Sequence, residues 1–270
     1  MDIAKLFSQS NINIIDFKKH IKKINRHLIK EFLDETTDNN IIAIIYEYYY
    51  KNNDIAKHYY SLAIEFDNNM YAMNNLGICY YSEGKYKDMM LYFMKAIALK
   101  NSTAMLNLAN YYLFVENNDE QMMKYLKMAI DLDNSSAMVY LGDYYQFNYT
   151  NRNYDEMKKY YMRAIELKND SAMFNLAVYY QITENNNILA KEYYIMSAKL
   201  GNSSAMNNLA IYYEDIEKDY ENAKKYYIMA IELGNTDAVY NLATFYNDVE
   251  HNTLMMEKFM IMYKSLIYNN

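Results

Sequence analysis

A nine-residue string, Ala104-Met105-Leu106-Asn107-Leu108-Ala109-Asn110-Tyr111-Tyr112, returns along the chain with its small, apolar and aromatic residues in the same order. It reappears as Ala137-Met138-Val139-Tyr140-Leu141-Gly142-Asp143-Tyr144-Tyr145, again from Ala172, Ala205 and Ala238, and in altered form from Ala72. The steps between these alanines are 32, 33, 35, 33 and 33 residues. A second series, Ala63, Ala96, Ala129, Ala164, Ser197 and Ala230, advances by 33, 33, 35, 33 and 33. Two interleaved series sharing one period mean two structural elements per repeat.

Both elements carry a helical period. In the first, Ala172, Leu176, Ala177 and Tyr180 fall on one face of a 3.6-residue helix, and in the second Tyr226, Tyr227, Ala230, Ile231 and Leu233 do the same. Asn101-Ser102, Asn134-Ser135, Asn169-Asp170, Asn202-Ser203 and Asn235-Thr236 stand where each first helix needs an oxygen to accept from its unpaired N–H groups. Gly201 and Gly234 fit a left-handed exit from the preceding helix. Small residues recur at one site in the first helix (Gly77, Ala109, Gly142, Ala177, Ala210, Ala243) and at one in the second, where they let two helices approach closely. With no proline and only 5 glycines, the chain lacks the turn residues of a sandwich or barrel. The expected fold is all-α, an α-solenoid of antiparallel helix-turn-helix repeats with a period of about 33 residues and about seven units, each burying its second face only on a neighbour.

The junction Ala230-Ile231-Glu232-Leu233-Gly234-Asn235-Thr236-Asp237-Ala238-Val239-Tyr240-Asn241-Leu242-Ala243 resembles the Sel1-like repeat pattern A-A-E-x-G-x-x-x-A-x-x-N-L-G. The distance from small residue to leucine is 12, as in Sel1-like repeats, for Ala96 to Leu108, Ala129 to Leu141, Ala164 to Leu176 and Ser197 to Leu209. Inside the unit the chain departs from that pattern. The G-x-G-V-x-x-D loop is missing, and the leucine-to-small distance of 20 to 23 is similar to that of the related tetratricopeptide (TPR) repeat. The resemblance covers residues 38–270 and implies a protein-interaction scaffold with no enzymatic activity and no cofactor.

Residues 38–270 are read as the repeat array, its first and last units degenerate, with Ile45 and Tyr49 taking the leucine and tyrosine positions of the first. Residues 1–37 are read as a capping extension with a basic amphipathic helix. Phe17, Ile21, Ile24 and Leu28 give that helix an apolar stripe to lay on the first repeat around Ile41, Ile45 and Tyr49. Lys18, Lys19, Lys22, Lys23 and Arg26 would then face water, and offer a weaker second role in contact with a membrane surface. The last helix, Leu254 to Tyr268, is apolar nearly all round, which suits a partner or a second copy.

The formal net charge of −7 and the lack of a long basic block disfavour a nucleic-acid partner. One cysteine, Cys79, excludes an intramolecular disulfide and fits a reducing compartment. No apolar run at the N-terminus reads as a signal peptide, and none elsewhere is long enough to span a bilayer. The expected location is the cytoplasm. The abundance of Asn, Lys, Ile and Tyr suggests an AT-rich genome, a protist or a large DNA virus, and for a virus the location becomes the host cytoplasm. His20, His27, His58 and His251 share no metal-ligand spacing with one another or with Cys79, and no nucleophile or phosphate-loop motif occurs. No catalytic residue, metal or cofactor is therefore expected.

The partner-binding candidates lie on the first helices. Asn75, Asn107, Asn175, Asn208 and Asn241 share one position, with Tyr140 in the remaining unit. They fit either a ladder that clamps an extended peptide or a set of bonds fastening repeat to repeat. Phe174 and Tyr240 share the position just before. Some TPR proteins hold a partner's terminal carboxylates with a basic pair at such positions, and this chain lacks one. The leading function is an intracellular protein or peptide-binding scaffold. The alternative is a structural subunit of a homo-oligomer or larger assembly through the apolar C-terminal helix.

Overall fold

The structure, a computed structural model, describes residues 26–148, 150 and 152–268. They contain fifteen α-helices of 10 to 16 residues and no strand. Helix α1 (Arg26–Glu35) is followed by seven helical hairpins. These are α2 (Asn39–Tyr48) with α3 (Asn53–Asp67), α4 (Met70–Ser82) with α5 (Tyr86–Ala98), α6 (Ser102–Phe114) with α7 (Asp119–Ile130), and α8 (Ser135–Phe147) with α9 (Tyr154–Glu166). Then follow α10 (Asp170–Ile182) with α11 (Asn187–Lys199), α12 (Ser203–Tyr212) with α13 (Tyr220–Glu232), and α14 (Thr236–Asp248) with α15 (Thr253–Tyr268). Helix α12 runs on into a π-helical turn, Tyr213–Glu217. The chain divides into two compact units, residues 1–134 and 135–270, so α1 to α7 belong to the first and α8 to α15 to the second. Below, the first helix of a hairpin is its A-helix and the second its B-helix.

Asparagine sets most helix starts. Asn69, Asn101, Asn169, Asn202 and Asn235 are N-caps of A-helices whose Oδ1 accepts from an N–H two or three residues on, and Asn52, Asn118, Asn153 and Asn186 cap B-helices in the same way. Several A-caps also reach the preceding hairpin. Asn101 Nδ2 donates to the Met70 carbonyl, Asn169 Nδ2 to Ser135 Oγ and Asn202 Nδ2 to Asp170 Oδ2, at 2.9–3.2 Å. One amide thus ends a helix and ties it to its neighbour. Each B-helix that leads into a further A-helix is followed by a left-handed residue: Asn68, Lys100, Asp133, Lys168, Gly201 or Gly234. Only two of the six are glycine, the pair marked by the sequence.

Between paired helices the contact is close. Ala96, Ala129, Ala164, Ser197 and Ala230 are fully buried, as are Ala109, Ala177, Ala210 and Ala243 at the matching A-site. Ser197 keeps its hydroxyl satisfied by donating to the Asp170 carbonyl at 2.8 Å. At Gly77 an added Cβ would lie 2.6 Å from the Phe93 ring, and at Gly142 one would strike the Tyr161 ring, so alanine at either site would have to push the B-helix ring aside. Every hairpin also stacks one A-helix ring on one B-helix ring. The pairs are Tyr46–Tyr59, Tyr80–Tyr92, Tyr112–Tyr125, Tyr145–Tyr160, Tyr180–Tyr193, Tyr213–Tyr226 and Tyr246–Phe259, with centroids 5.5–6.0 Å apart and planes within 17°.

The stacking corrects the register expected for the first unit. Tyr46 takes the place of Tyr80 and Tyr112, so Ile42 occupies the leucine position and Ile45 the position of Cys79 and Tyr111. The unbroken run Ile41–Ile45 has no polar face to mark a phase, and the ring pair fixes it. The N-terminal helix is corrected too. In α1, Ile29 is buried, and Phe32 and Leu33 pack with it into the cluster of Ile41, Ile44 and Ile45, whereas Leu28 is exposed. Three apolar residues at i, i+3 and i+4 outweigh Leu28, which lies one residue off that face. Phe17, Ile21, Ile24, Lys18, Lys19, Lys22 and Lys23 lie outside the described residues, and Arg26 opens α1.

Candidate partner-binding surface

The asparagine ladder is occupied by the protein itself. In the first unit Asn107 Nδ2 donates to Asn74 Oδ1 at 2.9 Å, and Asn74 Nδ2 to Asn75 Oδ1 at 3.3 Å. Asn75 ends this chain of amides, buried, with its own Nδ2 unpartnered. In the second unit a longer relay runs from Asn241 Nδ2 to Asn207 Oδ1 at 2.9 Å, from Asn207 Nδ2 to Asn208 Oδ1 at 3.4 Å, and from Asn208 Nδ2 to Tyr194 Oη at 3.2 Å. It ends with Tyr194 donating to Gln181 Oε1 at 2.7 Å. Asn175 Nδ2 donates to Asp143 Oδ1 at 2.9 Å. Four of the five ladder amides, Asn107, Asn175, Asn208 and Asn241, thus donate within the protein, each to the preceding hairpin. Phe174 is half-buried with its ring 6.1 Å from that of Tyr194, and Tyr240 is exposed with its ring 5.4 Å from that of Tyr263.

Beside the ladder the first unit holds a cavity of about 310 Å³ lined by Ile78, Tyr81, Phe93, Asn107, Asn110, Tyr111 and Phe114. Phe93 forms a buried part of the lining, while Tyr81 and Phe114 are exposed. Asn110 Oδ1 is buried and has no donor. The apolar lining follows from two linked replacements. The B-helix tyrosines Tyr60, Tyr194 and Tyr227 bury their rings and donate to Glu47, Gln181 and Glu214 on their A-helices, at 2.7–2.8 Å. Phe93 has no hydroxyl, and at the acceptor position its hairpin carries Tyr81. Leu126 likewise faces a hairpin with Leu113 at that position. The sequence displays these matched changes, but only the contacts reveal which residues they pair.

A further pattern is legible once the contacts are known. Lys57, Lys158, Lys191 and Lys224 on B-helices each pair with a glutamate 26 residues on, beyond the next A-helix: Glu83, Glu184, Glu217 and Glu250. Lys191 Nζ also lies 4.7 Å from the Tyr213 ring centroid. Hydrogen bonds from Lys57 and Lys85 hold Glu83 below the usual carboxylate range, and Lys158 and Tyr179 do the same for Glu184. Cys79 is buried, and burial together with Glu47 pushes its thiol up to about 12, which suits a packing residue and not a nucleophile. Among the described residues no group of three or more His, Cys, Asp or Glu could hold a metal ion, and no helix is long and apolar enough to cross a membrane.

The Sel1 repeat model matches residues 47–65, 102–134, 170–202 and 203–235, and a tetratricopeptide repeat model matches residues 71–103 and 146–171. The chain is built of Sel1-like and tetratricopeptide repeats. A Sel1 repeat protein from Oxalobacter formigenes superposes with a TM-score of 0.65 at 22% identity, covering 77% of this chain and 94% of that one. The protective antigen c5321 of uropathogenic Escherichia coli gives 0.57 at 22% identity over 77% of this chain and 48% of its own. The immunity protein PA5088 of Pseudomonas aeruginosa gives 0.52 at 18% identity over 71% and 82%. These likenesses establish the fold. No curated protein is similar enough in sequence to be called a relative. Sel1-like and TPR repeats generally mediate contacts between proteins, on scaffolds that are typically non-catalytic.

Proposed function

We propose that this chain is a cytoplasmic, non-catalytic scaffold that holds a partner protein on its A-helix surface, with the cavity of the first unit receiving an apolar side chain of that partner. The cavity carries this reading. It is open at exposed Tyr81 and Phe114 and apolar below, with the unpaired Asn110 Oδ1 buried in its wall. The ladder amides favour the fastening role, since most of them already donate to groups of the protein. A photo-crosslinking residue in place of Phe114 should capture one dominant partner in cells. Adding Ile78→Arg, which sets a charge in the cavity, should abolish that capture while leaving helicity by circular dichroism unchanged. Equal capture by both proteins rejects the cavity as the docking site.

A second reading has its own observation. Helix α15 buries no residue completely, and Leu254, Ile261 and Tyr268, seven residues apart, are all exposed. This supports a self-contact through the last helix. Light scattering should then give a dimer mass that Ile261→Glu reduces to a monomer. A parent chain that is already monomeric at micromolar concentration rejects this reading.

A further inference from the structure

Asp143 is the only acidic residue at its A-helix position, where the other hairpins from α4 onward carry Ile78, Asn110, Val178, Ile211 and Thr244. It is half-buried on α8 and draws two donors to one oxygen: Tyr161 Oη and, at 2.9 Å, Asn175 Nδ2 both reach Oδ1. Tyr161 also lies 2.9 Å from Gln146 Oε1. A phenol has one proton, so with the carboxylate receiving it, the Gln146 amide must turn its NH2 toward the phenol oxygen. Both donors to Asp143 are neutral. Among the described residues no lysine, arginine or histidine forms an ion pair with it, and Oδ2 has no donor. One helical turn earlier, the Tyr140 hydroxyl is buried without a partner.

We propose that Asp143 and Tyr140 form a subsite for a cationic side chain, an arginine or lysine presented by a partner segment. Asp143 Oδ2 and the buried Tyr140 oxygen both lack a protein donor, both can accept, and the first is charged. A neutral donor would leave the charge uncompensated, whereas a guanidinium or ammonium group supplies N–H donors and the countercharge together. Burial raises the Asp143 carboxyl above its ordinary range, and its two hydrogen bonds oppose that shift. A group shifted upward adds stability only while protonated, below its unfolded value, and loses that contribution as pH rises through its folded value. At neutral pH the ionised carboxylate therefore works against the fold. Asparagine would keep an oxygen for Tyr161 and Asn175 without the charge, and Asn110 occupies this position in the preceding hairpin. A carboxylate that disfavours folding, in a place that accepts an amide, fits a binding role.

The inference rests on the partner-binding reading, but it is tested with small probes that need no partner. N-acetyl-arginine methylamide, its lysine analogue and the neutral citrulline analogue are titrated into the full chain and followed by NMR. The arginine or lysine probe should bind saturably, shift resonances around Asp143, and bind about tenfold more tightly than citrulline. Asp143→Asn should lose that preference and unfold at higher urea, and Tyr140→Phe should weaken cation binding with the fold intact. No saturable cation binding, equal binding of arginine and citrulline, cation binding unchanged by Asp143→Asn, or an Asp143→Asn chain less stable than the parent each overturns the proposal. Cation binding at Asp143 alongside a failed crosslink at Phe114 leaves this subsite standing and rejects only the cavity reading.

Discussion

Tyr194 is fully buried, yet its hydroxyl is satisfied from both sides, donating to Gln181 and accepting from Asn208. Phenylalanine would keep the ring and strand two amides. Tyr194→Phe should therefore cost about 1–3 kcal/mol in urea unfolding, the desolvation penalty of groups left unpaired. Adding Gln181→Leu should recover part of the loss, because it removes one stranded group, as the natural combinations Phe93 with Tyr81 and Leu126 with Leu113 do. No recovery would mean that the two positions are not coupled. A second residue-scale test concerns backbone strain. Lys168 holds φ +58° at a turn where the equivalent Gly201 and Gly234 sit at +92° and +84°. A left-handed L-residue costs about 1–2 kcal/mol, offset in part by the greater freedom of glycine in the unfolded chain. Lys168→Gly should thus raise stability by up to about 1 kcal/mol. A lower urea midpoint would show that the Lys168 side chain contributes more than its strain costs.

At the scale of elements, a hairpin is a small-residue contact flanked by a stacked ring pair, and the two features set its spacing together. Ala177 is fully buried beside Tyr194 and Ala190, and an extra isobutyl group there must displace a ring or separate two helices. Ala177→Leu should destabilise by about 1–3 kcal/mol through overpacking. Gly142→Ala adds one methyl, but against the Tyr161 ring, and should also destabilise, despite the better helix propensity of alanine. Urea midpoints equal to the parent would place these sites away from a close crossing. The lysine–glutamate pairs between hairpins weigh less. Their side chains keep 21–35% of their exposure, and pairs of this kind typically contribute a few tenths of a kcal/mol up to about 1 kcal/mol.

For the whole molecule, terminal faces matter most, because a stacked hairpin buries its second face only where something lies on it. In the first unit Ile29, Phe32 and Leu33 of α1 supply that cover for the cluster around Ile41 and Ile45. Removing residues 1–37 exposes that cluster, so the melting temperature should fall and aggregation should rise without any membrane present. Liposome co-sedimentation decides between the roles assigned to this extension. An unchanged melt together with lost binding to anionic vesicles would make it a membrane-targeting element and not a cap. In the second unit α15 has no fully buried residue, and the small-residue position of its B-helix series is filled by Tyr263, a ring where six earlier hairpins carry alanine or serine.

The sequence by itself determined the helical class, the two helices per repeat, the capping asparagines and the buried small residues. Each of these is written in short-range periodicity and recurs at about 33 residues, so a single chain carries several copies of the signal. Tertiary structure decided what depends on partners distant in sequence. The phase of Ile41–Ile45 had no polar face to fix it until Tyr46 stacked on Tyr59, and the buried face of α1 was set by Ile29 instead of Leu28 once it met the first hairpin. The ladder asparagines fitted a peptide as well as the favoured neighbouring repeat, because an amide's identity does not say what it bonds. The cavity beside Asn110 and the uncompensated charge of Asp143 exist only where side chains from separate helices converge, and no local pattern encodes that convergence.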